Sequence, residues 1–147
     1  MSSSTIQFPV LALPFIPQRP PIVMIDNVLS SDEASFETDL LIREDNVFVD
    51  GGLFRECGLI ENIAQTCAAF IGFSLEDDNV PIGVIGGIKD FSVATLPSVG
   101  TTIRTRIHAI AAIDLAKVVA AEVIYNEQVI ATCTMKVFIA PDSDERK

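Results

Sequence analysis

Histidine is nearly missing: His108 stands alone among 147 residues. A metal centre built on several histidines is therefore excluded, and Cys57, Cys67 and Cys133 lack the spacing of a zinc site. Three cysteines is an odd number, and all three sit in apolar segments. They read as reduced, buried thiols of a cytoplasmic protein rather than a disulfide framework. Basic residues are scarce, 10 Lys and Arg against 20 Asp and Glu, for a net charge of −10. Such a chain repels phosphate backbones, so no nucleic-acid partner is expected. An acidic partner would need a local basic patch, for which Arg19, Arg55, Lys89, Arg104 and Arg106 are the candidates. Also lacking is any unbroken apolar stretch of roughly 18 to 20 residues, so no membrane span is expected. Met1 to Thr5 carry no basic residue, and Pro9, Pro14 and Pro17 interrupt the apolar part that follows. The N-terminus does not read as a signal peptide.

Apolar content is what the chain has in excess. Hydrophobic residues make up 49% and the mean hydropathy is +0.43. The length suits one domain with a real core. The remaining apolar surface predicts a buried subunit interface, and so an oligomer.

Residues 1–21 are Ser-rich and then Pro-rich, which predicts an extended, irregular segment. Residues 22–31 and 35–44 read as strands joined by a turn at Ser31-Asp32-Glu33, followed by a loop with Gly51-Gly52. Residues 58–75 read as the one long helix. A strand over 82–94 carries a Gly86-Gly87 kink, and a turn follows over Leu96 to Gly100. Three strands, roughly 101–113, 116–125 and 128–140, are joined by tight turns at Asp114-Leu115 and Asn126-Glu127. In the first of them Ile103, Thr105 and Ile107 alternate with Arg104, Arg106 and His108, a period of two with one wet face. Asp142 to Lys147 reads as a charged, frayed tail. There is no internal repeat. The order predicts an α+β class, with one antiparallel sheet and one helix.

The helix is the informative element. Its polar residues are Glu61, Asn62, Gln65 and Thr66, two pairs four apart that share one narrow stripe. A surface helix would be polar over about half its circumference. This one is apolar nearly all round, which predicts burial within a curved sheet. A buried carboxylate is costly unless paired, hydrogen-bonded or protonated, and that makes Glu61 a candidate general acid or base. The plainer alternative is a helix-stripe glutamate at a subunit contact. Asn62 and Gln65 serve as readily to satisfy neighbouring backbone groups.

Several segments together resemble the hot-dog fold, and within it the 3-hydroxyacyl-(acyl-carrier-protein) dehydratases. Those enzymes carry Leu-Pro-His-Arg-x-Pro before a strand; here the stretch is Ile16-Pro17-Gln18-Arg19-Pro20-Pro21. Their helix carries Glu-Ala-Met/Leu-Ala-Gln; here it is Glu61-Asn62-Ile63-Ala64-Gln65. A later Gly-Ile-x-x-x-x-Phe with a downstream Pro-x-x-Pro-Gly is echoed by Gly87-Ile88-Lys89-Asp90-Phe91 and Leu96 to Gly100. The similarity spans roughly residues 14–140 and looks closest to the divergent branch associated with aryl-polyene pathways. It implies one hot-dog domain over 1–147, a dimer or higher oligomer, an acyl-carrier-protein or coenzyme A thioester as substrate, and no cofactor or metal.

The resemblance also implies site residues. It places the family's catalytic histidine at Gln18, an amide that cannot take up a proton at neutral pH. It makes Glu61, contributed by the other subunit, the group that protonates the leaving hydroxyl. Gln65, Gly87 and Phe91 are implied substrate contacts. The family's Pro-Gly at the helix entrance falls on Arg55-Glu56, which leaves Gly58 to supply a backbone donor for the thioester oxygen. Arg19, Arg55 and Lys89 are implied carrier contacts. Three functions follow: a dehydratase relying on Glu61, a non-catalytic subunit paired with a histidine-bearing paralogue, or an acyl thioesterase in which Gln18 orients water.

Overall fold

The computed structural model describes residues 6–74, 83–113 and 116–139. The expected turn at Asp114-Leu115 and the expected tail from Asp142 lie outside them. The segment expected to be irregular up to residue 21 contains a short strand, β1 (Val10–Leu11), and a 3-10 turn (Leu13–Phe15). Next come β2 (Asn27–Ser31) and β3 (Ser35–Leu41), then a two-residue hairpin of β4 (Val49–Asp50) and β5 (Leu53–Phe54). Gly51 and Gly52 close that hairpin with φ of 62° and 78°, a left-handed pair that glycine adopts without strain. The helix, α1, runs Glu56–Ser74, and β6 (Gly83–Val93), β7 (Thr102–Ile113), β8 (Ala116–Tyr125) and β9 (Gln128–Ile139) complete the chain.

The long strands form one seven-stranded antiparallel sheet in the order β1-β2-β3-β7-β8-β9-β6. α1 packs on its concave side. Ile103, Thr105 and Ile107 are fully buried beneath the helix, while Arg106 and His108 are exposed on the outer face, as the alternation predicts. Burying side chains such as Leu59, Ile63, Phe36 and Ile107 contributes about 1.5–3 kcal/mol each. The helix C-terminal end is held by aromatic packing. Phe36 stacks on Phe70 at 5.1 Å between ring centroids, and Phe15 meets Phe73 edge-on at 5.0 Å. Gly72 allows this approach, because a Cβ there would collide with the Phe15 carbonyl oxygen.

The expected strand over 22–31 begins only at Asn27. The reason lies in the helix stripe. Met24 gives its backbone N–H to Gln65 Oε1 at 2.6 Å, and its carbonyl accepts from Asn62 Nδ2 at 2.8 Å. Ile22 likewise offers its carbonyl to Gln65 Nε2 at 2.8 Å. Residues 22–24 thus spend their backbone groups on α1 rather than on a neighbouring strand.

Two ladder irregularities mark β6, between Ile85 and Gly87 and between Lys89 and Ser92. Gly86 sits in the first, where a Cβ would strike the Phe138 ring. Asp90, with φ of 58°, sits in the second, and the bulge turns Phe91 against the core. β6 pairs with β9 alone among the described residues, so its outer edge is open, and Val84, Ile85 and Ile88 are exposed along it.

Candidate active site

Glu61 lies one helical turn before Gln65, and the two side chains are joined: Gln65 Nε2 donates to Glu61 Oε2 at 2.8 Å. The rest of the stripe is locked to the sheet. Thr105 Oγ1 donates to Asn62 Oδ1, Thr66 and Thr38 hydroxyls bond at 2.8 Å, and Thr66 Oγ1 also donates to the Asn62 carbonyl. Asn62, Gln65 and Thr66 are fully buried, while Glu61 is half-buried. The stripe therefore splits in function. Three residues anchor the helix, and the fourth presents a carboxylate with one oxygen oriented by Gln65.

That carboxylate faces a cavity of about 420 Å³. Gln18 and Glu61 supply its polar lining. Ala64 and Ala68 continue the same helix face, and Val137 of β9 with Gly83, Val84 and Ile85 of β6 supply the opposite wall. The cavity thus adjoins the open edge strand. Gln18 reaches it because the segment after Pro17 is carried toward α1, and Arg19 fastens the turn by donating to the carbonyls of Ile16 at 2.8 Å and Gln18 at 2.7 Å. Gln18 and Glu61 of one chain both line this cavity.

The other expected contacts are placed elsewhere. Gly58 is buried under Phe54 and Phe48, and its N–H donates to the Arg55 carbonyl at 2.9 Å, so it neither lines the cavity nor offers a spare donor. Gln65 is engaged with Met24, Ile22 and Glu61. Gly87 pairs with Lys136 on exposed β6, and Phe91 packs on the core. Neither is part of the cavity lining. The basic candidates are held by different partners or on different elements. Arg104 and Arg106 hold Glu37 on the outer face, Arg55 pairs with Glu56 at 3.3 Å, and Lys89 sits on β6. Cys67 and Cys133 are buried, but Cys57 is exposed in the first turn of α1, contrary to the expectation of three buried thiols.

Ala64 and Ala68 line the cavity, and sequence reasoning passed them over. Their signal was small size at three and seven residues after Glu61, on one helix face. Other hollows lie among the described residues. One of about 490 Å³ lies on the outer face around Ala120, rimmed by Arg106, His108 and Glu122, and one of about 380 Å³ lies between Pro20-Pro21 and the end of β3. The outer hollow is larger, but its polar groups are already engaged: Arg106 with Glu37 and Glu122, and His108 Nδ1 with Ser35 Oγ at 2.8 Å. The smaller, apolar cavity beside Glu61 has the character of a ligand site. His108, on the far face of the sheet, has no access to it. Among the described residues there is no cluster of metal-ligating side chains, and no helix is long and apolar enough to cross a membrane.

Known proteins share this fold. No curated protein matches the chain in sequence. In structure it is similar to the dehydratase heterocomplex ApeI:P of Xenorhabdus doucetiae, with a TM-score of 0.84 at 15% identity, covering 93% of this chain and 95% of that one. It is also similar, at a TM-score of 0.62 and 19% identity, to a proposed thioesterase related to phenylacetic acid degradation from Ralstonia eutropha, over 76% of this chain and 82% of that one. The E. coli PaaI protein of the phenylacetic acid degradation operon gives 0.61 at 12% identity, over 76% and 80%. These likenesses share the long antiparallel sheet wrapped around one helix, the hot-dog fold. The ApeP-like family, described as ApeP dehydratase, matches residues 11–146, and the chain belongs to that family.

Proposed function

We propose that this chain is a dehydratase-type subunit that takes a 3-hydroxyacyl thioester into the cavity beside α1, with Glu61 as its acid and base. The observation that carries the reading is one carboxylate and one amide in the lining of an otherwise apolar cavity. Among the described residues Glu61 is the only ionisable side chain lining it. As a carboxylate it takes the proton from C2 of the substrate, and as the acid so formed it returns that proton to the hydroxyl leaving C3. The C2–H and C3–O bonds break, the C2=C3 bond forms, and water departs, with Glu61 regenerated. Gln65 holds the carboxylate in place throughout.

The open edge of β6 supports pairing with a second hot-dog subunit. An unpaired strand of this length with exposed apolar side chains is a template for another strand, and it borders the cavity. A histidine-bearing paralogue is the partner this reading favours, consistent with the heterocomplex described for the Xenorhabdus doucetiae protein. An acyl-carrier protein as donor, a role in fatty acid or polyene synthesis and a cytoplasmic setting with reduced thiols complete the proposal. Carrier docking would use Arg19, Arg55 or Lys89.

The test is to incubate the protein, alone and with its paralogue, with 3-hydroxyacyl and enoyl thioesters while following enoyl absorbance and free thiol. Interconversion without thiol release supports the dehydratase. Thiol release supports the second reading, an acyl thioesterase in which Glu61 and Gln18 hold a water. That reading is favoured by the likeness to the proposed thioesterase of Ralstonia eutropha. Carrier binding with no turnover in either mixture would leave a non-catalytic subunit.

A further inference from the structure

Gln18 Oε1 is the only buried side-chain nitrogen or oxygen without a hydrogen-bond partner among the described residues. Its neighbours around the helix are all satisfied: Asn62, Gln65, Thr66 and Thr105 each have partners. A buried acceptor left unpaired forfeits its hydration and gains nothing in return, so such an atom in a native fold calls for an explanation. The neighbouring side chains offer none. Among the described residues Ala64, Ala68, Val84, Ile85 and Val137 line the cavity without a side-chain donor, and a carboxylate oxygen accepts. A ligand in the cavity that carries a hydroxyl is positioned to supply the donor.

Resting on the acyl-site reading above, we propose that Gln18 Oε1 is the acceptor for the 3-hydroxyl hydrogen of the substrate and makes the site selective for hydroxyacyl over saturated or enoyl chains. The hydroxyl then lies between the two polar groups of the cavity. Its hydrogen points to Gln18, and an oxygen lone pair remains for the proton that Glu61 delivers. Once water has left, the enoyl product has no donor to offer, and Gln18 favours its release. A site that spends a buried group on one substrate hydroxyl rejects analogues lacking it, because the group is stranded again.

Binding to the full chain, with its paralogue where the cavity needs one, tests this by calorimetry. The probes are amide-linked acyl-pantetheine analogues that resist turnover, one 3-hydroxylated, one 3-methoxylated and one saturated. The wild type should bind the 3-hydroxy analogue about tenfold to a hundredfold more tightly than the saturated one. Gln18→Met, similar in length but without the acceptor, should bring the ratio to within about twofold with saturated-chain affinity retained. A wild type with no preference, or a variant that keeps it, overturns the assignment. Should Gln18→Met not fold, the wild type alone decides: the methoxy analogue keeps the oxygen but not the donor, and equal affinity for it and the hydroxy analogue also overturns the proposal. Failure of every analogue to bind overturns the acyl-site reading itself.

Discussion

Glu37 and Glu61 are two shielded carboxylates on opposite faces of the same sheet, and they are kept in different ways. Glu37, on β3, is gripped from both sides: Arg104 Nη1 reaches Oε2 at 2.8 Å and Arg106 Nε reaches Oε1 at 3.1 Å. Both oxygens are spent and the charge is matched. Glu61 has no cation within ion-pair distance among the described residues. A neutral amide holds one of its oxygens, and the carboxylate opens on an apolar cavity. The first arrangement fixes strands; the second orients a carboxylate without neutralising it. Burial alone thus does not mark a catalytic acid, whereas burial without a counter-charge beside a cavity marks a candidate for one.

The sharpest way to break this comparison is to remove each carboxylate in turn. Glu61→Gln keeps the bond to Gln65 and should lower dehydratase turnover by about 10²- to 10⁴-fold with little change in melting temperature. Full turnover in that variant would show that the chemistry lies elsewhere. Asn62→Ala, next in size, strands Met24 and Thr105 in the buried stripe. It should cost about 2–3 kcal/mol in urea unfolding, since two buried groups lose a partner. Glu37→Gln leaves the two arginines on the outer face short of a counter-charge. They are partly solvated, so the loss should be only about 1 kcal/mol, with turnover unchanged.

A third carboxylate sharpens the contrast by its pH dependence. Burial pushes the Asp39 carboxyl above the usual carboxylate range, against the bonds it accepts from Asn27. The folded state then holds the proton more tightly than the unfolded chain does. Stability contributed by this group falls as pH rises through the carboxylate range. Asp39→Asn should flatten that part of the melting-temperature profile and slightly raise stability at neutral pH. The smallest effect is a reactivity difference. Burial pushes Cys67 up to about 12 and Cys133 up to about 11, so a thiol reagent should label Cys57 quickly in the native protein and the other two only after unfolding.

Much of this was legible in the residues. The near-continuous apolar helix predicted its own burial, and the alternation in β7 predicted which side of the sheet faces it. The narrow stripe holding Glu61, Asn62, Gln65 and Thr66 identified the helix positions that matter. The division of labour within the stripe was not legible, because it depends on Met24, Thr38 and Thr105, which are distant in sequence. The same holds for the shortened β2, whose backbone is claimed by side chains 38 to 43 residues away. Gly58, Gly87 and Phe91 were expected at the site from motif position. In the single chain Gly58 lies close under Phe54 and the β6 bulge directs Phe91 inward, so packing rather than motif position sets where they stand relative to the cavity beside Glu61. Ala64 and Ala68 went unnoticed because a small side chain shows its purpose only by the space it leaves.

The most direct measurement is photo-crosslinking of the protein, assembled with its paralogue, by an acyl-pantetheine analogue carrying a diazirine at the end of its chain. The labelled residues are then located by mass spectrometry. The account predicts labels on Ala64 to Ala68 of α1 and around Val137 or Ile85, lost on competition with unlabelled 3-hydroxyacyl analogue. Labels confined to the outer face around Ala120, or to the hollow beside Pro20-Pro21, would contradict it.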